Sequence, residues 1–326
     1  MAPLIPDYVA PRWLPGGNAQ SIWPALFASR PAASDIRYQR ERWDTPDGDF
    51  IDVDLLLAAR ADAPLLVMFH GLEGSSSSHY ALGCALVART RGWGFAVPHF
   101  RGCSGELNRA PRAYHSGDFE EIGWMLQRLR ARAAAPLMAV GFSLGGNALL
   151  RWAEEAGESA ATTARAVAAV SSPLDLAAAG RAIEIGFNRI SYMRMFLRSM
   201  KPKALAKWQQ HPGLFDADRM LAARTLYEFD QIVTAPLHGF TSTEDYWTRA
   251  SAKPHLQRIR IPALLVNAHN DPFVPGHSLP GVADVSNFVT LWQPAHGGHC
   301  GFPGGGFPGQ LTRMPEAVAD WLAAQG

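Results

Sequence analysis

The chain has 326 residues, 48% of them apolar and 18% charged, with a formal net charge of +1. This is enough for one large α/β domain with an insertion, and the composition excludes a disordered or fibrous chain. The near-zero charge excludes a global bias toward nucleic acid or acidic partners. The three cysteines Cys84, Cys103 and Cys300 are too few and too odd in number for a disulfide framework and fit a reducing compartment.

The first residues, Met1 to Asp7, show neither the basic region nor the apolar core of a secretory signal. No uncharged apolar run approaches the ~20 residues needed to span a bilayer. A soluble, cytoplasmic protein is expected. Residues 11–30, rich in Pro, Gly and Trp, read as an ordered but irregular arm. Tyr38 to Trp43 and Phe50 to Leu55 flank Pro46-Asp47-Gly48, and the second run alternates Ile51, Val53 and Leu55 against Asp52 and Asp54, so the pair predicts a β-hairpin. Apolar runs follow at Leu65 to Phe69, Phe95 to Phe100, Leu137 to Gly141 and Ala166 to Val170, with helical segments between them. One of those helices presents Ile122, Met125, Leu126 and Leu129 at helical spacing behind a capping Asp118. Strand–helix alternation of this kind predicts crossovers and a mostly parallel, doubly wound sheet.

From about Leu174 to Arg258 the strand signal stops. Ile183, Phe187, Ile190, Leu197 and Met200 predict a long amphipathic helix, with further helical pieces after it. Strands resume at Pro262 to Asn267 and Val289 to Trp292. A closing helix starts at Pro315 and buries Val318, Trp321 and Leu322. A single domain over 1–326 is expected, with a helical cap at about 174–258 inserted before the strand that carries the acid. There are no internal repeats.

Chemistry points to Gly141-Phe142-Ser143-Leu144-Gly145, which follows the run Pro136 to Val140 and precedes a helix-like segment. Glycines two places either side of a serine permit a strained strand-to-helix turn that lifts the hydroxyl above the sheet as a nucleophile. Elbow enzymes supply acid and base afterwards in the chain, at the C-terminal ends of strands. Asp271 follows the first strand after the cap and is the expected acid. The next strand runs into Pro294 to Gly301, where His299 is the expected general base and His296 a competing one. Asp230, inside the cap, is an alternative acid only if the cap folds back. The oxyanion hole needs two backbone N–H donors, expected from Leu144 and from Leu72 in the loop His70-Gly71-Leu72-Glu73-Gly74. His70 is expected to tie that loop down. His299 and Cys300 are adjacent, with no spaced partner pair, so no metal is expected. Gly304-Gly305-Gly306 follows no strand and precedes no lysine, so it reads as a loop and not a phosphate cradle.

Several longer stretches carry a family resemblance. They include Pro15 to Ser21, His70 to Ser75, His99 to Glu106, Tyr114 to Asp118, Gly141 to Asn147, Thr234 to Phe240 and His296 to Phe302. Over nearly its whole length the chain resembles the α/β-hydrolase superfamily, and within it the YheT-like branch that includes the membrane-anchored eukaryotic ABHD proteins. The resemblance implies an α/β-hydrolase fold and a nucleophile, acid and base at Ser143, Asp271 and His299. It implies a carboxylic ester hydrolase for short- to medium-chain acyl or lipid esters, without the anchor of the eukaryotic members. Asn18 departs from the histidine often found in the first motif, which bears on the local contacts of the arm.

The expected activity needs no cofactor, and the expected partner is a small acyl ester. An acyltransferase with the same triad and a non-catalytic binding protein are the other two readings. Ile190, Met193, Phe196, Leu197 and Met200 lie among Arg189, Arg194, Arg198, Lys201 and Lys203. That pattern suits either a core-facing stripe with a solvated basic face, which is favoured, or a face for anionic lipid. The roles of Thr234 to Phe240 and Arg101 to Glu106 stay open between pocket lining and packing. Oligomeric state has no signal in the sequence.

Overall fold

The computed structural model describes residues 7–29, 36–134 and 137–325. The N-terminal Met1 to Pro6 and Pro136, both used in the sequence reading, lie outside them. The arm is less irregular than its composition suggests. Residues Gly17–Leu26 form helix α1, entered through Gly16 at φ 80° and carrying Pro24 inside it. Gly and Pro mask the helical signal in the sequence, while contacts to the C-terminal loop, described below, hold the helix in place.

The hairpin forms as expected. Strand β1 (Gln39–Asp44) pairs antiparallel with β2 (Phe50–Leu56), with Trp43 opposite Ile51. The next elements are β3 (Leu65–Phe69), α2 (His79–Thr90), β4 (Gly94–Pro98), α3 (Phe119–Arg132), β5 (Leu137–Phe142), α4 (Leu144–Ala156) and β6 (Ala166–Val170). After a long helical stretch come β7 (Ala263–Val266) and β8 (Val289–Trp292). The eight strands form one sheet in the order β1-β2-β4-β3-β5-β6-β7-β8. Only the pairings of β2 with β1 and β4 are antiparallel.

Alternation along each central strand divides the core in two. Val67, Phe69, Ala139, Val167 and Leu265 face one layer, where α3 contributes Ile122, Met125, Leu126 and Leu129 and α4 contributes Leu149 and Trp152. Leu66, Met68, Val140, Val170 and Leu264 face the other, filled by α2 and by the closing helix α12, introduced below, with Val318, Trp321 and Leu322. Both faces are covered, which is why β3 to β7 read as near-continuous apolar runs. At α3, Asp118 occupies the cap position, but its side chain makes no capping bond. Its carboxylate instead accepts from Arg112 at 2.5 Å.

Between β6 and β7 the chain is helical: α5 (Leu176–Ile183), α6 (Gly186–Asn188), a π-helical segment Arg189–Met193, and α7 (Arg194–Gln210). Then follow α8 (Ala217–Ala222), α9 (Leu226–Phe229), a second π-helical segment Asp230–Thr234, α10 (Ala235–Leu237) and α11 (Thr243–Ala250). The single long helix expected from Ile183 to Met200 is therefore two. Gly186 at φ 53° breaks it, so Ile183 packs inward while Phe187 and Ile190 lie exposed. The closing helix α12 (Arg313–Ala323) begins two residues before Pro315.

Candidate active site

Strand β5 is buried at every position and ends at Ser143, which has φ 50° and ψ −122°. A non-glycine residue held there is strained, and such strain collects at functional turns. The Ser143 N–H donates to the Val170 carbonyl of β6 at 2.9 Å, which anchors the turn. A Cβ on Gly145 would sit 2.4 Å from the His70 carbonyl oxygen, so only glycine lets α4 start this close to β3. The same crowding brings the loop after β3 to the serine: a Cβ on Gly71 would lie 3.1 Å from that of Ser143.

In that loop the Gly71 N–H donates to Tyr80 Oη and the Glu73 N–H to Tyr114 Oη, each at 2.9 Å. The Leu72 N–H, between them, has no acceptor among the described residues, and Leu144 offers the first N–H of α4. His70 does tie the loop down. Its Nδ1 lies 2.8 Å from the Gly71 carbonyl, and its Nε2 accepts from the Phe100 N–H at 3.1 Å. Burial, with His99 nearby, pushes its pKa down to about 3, so the ring is neutral.

Asp271 and His299 meet at the same point. His299 Nε2 lies 3.0 Å from Ser143 Oγ, and its Nδ1 lies 2.9 Å from Asp271 Oδ2. Asp271 is buried and its Oδ1 also accepts from the Phe273 N–H at 2.8 Å, which fixes the carboxylate. Burial disfavours a charged His299, but the Asp271 charge and hydrogen bond, together with the neighbouring Cys300, raise the imidazole above its ordinary range. His296 is not brought in: it is exposed, with Nδ1 3.3 Å from the Asn270 side chain. Asp230 does fold back into a cavity wall, but it accepts from Trp247 Nε1 at 2.9 Å, and His299 bonds Asp271 instead. Burial raises the Asp230 carboxyl to about 6.

Several supports escaped the sequence reading. Ser21 Oγ accepts the His299 N–H at 2.7 Å, and Gln20 Oε1 accepts the Gly297 N–H at 2.9 Å, so α1 holds the histidine loop. Ser171 Oγ accepts the Cys300 N–H at 2.9 Å, and the Phe273 ring lies 4.2 Å from the His299 ring. Asn147 joins α4 to two distant segments through the Ser116 and Ala250 carbonyls, at 2.9 and 2.7 Å. The resemblance stretches Pro15 to Ser21, Tyr114 to Asp118, Gly141 to Asn147 and His296 to Phe302 contain several of these residues, but the contacts themselves span more than 25 positions. Asn18 accepts from Tyr192 Oη at 3.1 Å, linking α1 to the helices above the site.

Above Ser143 and His299 is a cavity of about 190 Å³, whose apolar wall includes Ile183, Phe196, Met200, Val233 and Leu237. Of the segment left open in the sequence, Thr234 and Leu237 line the cavity, while the rings of His238 and Phe240 pack tilted and edge-on against His115. Arg101, also left open, is buried and bonded to Asp47, Asp49 and Glu121. Gly102, Leu107 and Asn108 of the same loop reach the cavity wall. Among the described residues no three His, Cys, Asp or Glu side chains converge as a metal site. No helix there is long and apolar enough to cross a membrane.

A family profile described as the alpha/beta hydrolase fold matches residues 64–305. The chain belongs to the α/β-hydrolase family. Within it, the chain is 37% identical over 323 residues to YheT of Escherichia coli (strain K12), named as an esterase candidate, covering 97% of this chain and 93% of that protein. It is 28% identical over 325 residues to the human phospholipase ABHD3, covering 96% of this chain and 77% of that one. The hydrolase is thus YheT-like and ABHD-related, with relatives that carry esterase and lipase names. Among solved structures, Est1E from Butyrivibrio proteoclasticus shares the fold with a TM-score of 0.54 at 15% identity, covering 89% of this chain and 99% of that chain.

Proposed function

We propose that the protein is a serine carboxylic ester hydrolase. Ser143 is its nucleophile, His299 its general base and Asp271 its orienting acid, and its substrates are short- to medium-chain acyl or lipid esters. The observation that carries this reading is the His299 ring, 3.0 Å from the serine oxygen on one side and 2.9 Å from the Asp271 carboxylate on the other. Ser143 Oγ attacks the ester carbonyl as His299 Nε2 takes its proton. The charge on the carbonyl oxygen is met by the N–H groups of Leu72 and Leu144, which have no acceptor among the described residues. His299 then returns the proton to the departing alkoxide, leaving an acyl group on Ser143. Water, deprotonated by the same imidazole, releases the acid. No step needs a cofactor.

In this reading residues 174–258 are a helical cap on one α/β domain spanning 1–326, and the cap supplies the acyl pocket. The apolar wall from Ile183 to Leu237 supports this. Val233→Trp is expected to fill the pocket. kcat/KM for the longest ester accepted by the wild type should fall at least ~10-fold, with the acetate ester changed less than ~3-fold. A uniform loss across an acyl-length series of p-nitrophenyl esters would argue against an acyl pocket at this wall.

The pH profile tests the acid. Asp271→Asn removes the larger of the charges that raise His299, leaving burial, which lowers it and is the largest effect, opposed only by Cys300. The low-pH limb of kcat/KM, where the base becomes protonated, should therefore move to lower pH. kcat should also drop by ~10⁴. A limb that stays put or moves up would remove Asp271 from the role.

A further inference from the structure

The outer face of α7 and of the π-helical segment before it is strongly basic. Some exposed arginines elsewhere find carboxylates: Arg132 bonds Glu41 at 2.5 Å, Arg42 bonds Glu106 at 2.6 Å and Arg249 bonds Asp245 at 3.3 Å. On this face Arg189, Arg194, Arg198 and Arg224 border one groove, and none of their guanidinium groups has a carboxylate partner among the described residues. Lys201 joins them, its ammonium donating only to the Leu221 carbonyl at 2.7 Å. Beside these cations aliphatic side chains reach water: Ile190, 59% exposed, lines the same groove, and Met195, 56% exposed, lines a depression shared with Arg194 and Arg198. Leu221, whose carbonyl Lys201 bonds, is exposed as well.

The geometry of the helix decides what this face adjoins. Phe196, Met200 and Lys203 line the cavity above Ser143. Arg194, Arg198 and Lys201 precede them by two residues, about 200° around the axis, and so point away from it. The helix that roofs the cavity thus carries the basic, aliphatic-tipped face on its back. Tyr192, Met193 and Leu197 are buried and seat it on the molecule, so the core-facing stripe read from the sequence and a separate outer face coexist.

We infer that this face docks on an anionic phospholipid bilayer, with the arginines on the headgroup phosphates and Ile190 and Met195 at the acyl boundary. Each basic residue near an anionic surface adds attraction, and the aliphatic tips add burial that a purely polar polyanion cannot supply. This is why a bilayer suits the face better than nucleic acid: the apolar residues between the cations are mostly aliphatic and offer no stacking platform for bases. The inference does not rest on the hydrolase reading, and its test uses the Ser143→Ala protein so that catalysis plays no part.

Cosedimentation at low salt should show partition into phosphatidylglycerol–phosphatidylcholine vesicles and at least ~10-fold less into pure phosphatidylcholine. Arg194→Glu/Arg198→Glu should weaken the anionic partition at least ~10-fold, and Ile190→Ser/Met195→Ser several-fold. All four side chains lie on the exposed face, so circular dichroism should show both variants folded. Reversal at a remote pair, Arg130→Glu/Arg260→Glu, should leave partition within ~3-fold of the parent. The inference is overturned by absence of partition into the anionic vesicles, or by equal partition into both kinds. It is also overturned if the remote pair matters as much as the face. Duplex DNA binding as tightly as the vesicles, with the serine variants unaffected, would make this a general polyanion surface and overturn it as well.

Discussion

Ser143→Ala is expected to lower kcat for a p-nitrophenyl acyl ester by ~10⁴–10⁶ and to abolish labelling by a fluorophosphonate probe. The loss is that large because proton transfer and nucleophilic attack both pass through one oxygen, 3.0 Å from His299 Nε2. The N–H donors and the pocket would survive and account for any residual rate. Alanine keeps the same strained backbone, φ 50°, and Ser143 Oγ holds up no neighbouring element. The denaturation midpoint should therefore correspond to a change within ~1 kcal/mol. Turnover within ~10-fold of the wild type would sink the serine mechanism. If turnover were lost but an alcohol acceptor proved to replace water in the wild type, the same triad would be an acyltransferase.

The second large effect is on stability. Arg101→Met should destabilise the fold by ~3–5 kcal/mol, because it leaves buried carboxylates without their counter-charge. Arg101 donates to Asp47 and Asp49 at 2.8 Å and to Glu121 at 2.6 Å. Asp49 and Glu121 are as buried as the arginine itself. The loss should depend on pH. Burial raises the Glu121 carboxyl above its ordinary value, and the Asp118 charge adds to this while Arg101 opposes it. Without Arg101 the folded chain binds that proton still more tightly than the unfolded chain. Glu121's contribution to the variant's stability should then be fully present below about pH 4.5 and be lost as pH rises through its raised value. Urea titration across that range measures both terms. A change under ~1 kcal/mol, or stability rising with pH through that window, would show that the cluster does not carry the load assigned to it.

Where the sequence could be read, the signal was local. Strands β3, β5 and β6 lie within a residue of their apolar runs, because burial on both faces leaves them uniformly apolar. The serine turn was legible because its glycines answer contacts of under 3 Å that no side chain survives. Helix α1 was missed because Gly17 and Pro24 hide its propensity, and it stands on bonds to residues 297 and 299. The break at Gly186 was missed because the apolar period runs straight across it. Ile190, counted there with Leu197, is exposed while Leu197 is buried.

By itself, the sequence determined the succession of the core strands and the strained serine turn, since each of these rests on spacing within a few positions, and it narrowed the candidate partners of Ser143 to Asp271 or Asp230 and His299 or His296. Only the tertiary structure decided that His299 and not His296 reaches the serine, and that Asp230 turns to Trp247. It also decided which side of α7 faces the cavity and which faces water. Those outcomes are set by distances between segments as much as 278 positions apart. They depend on how layers pack and on where burial lets a charge survive, and no window of sequence contains both partners.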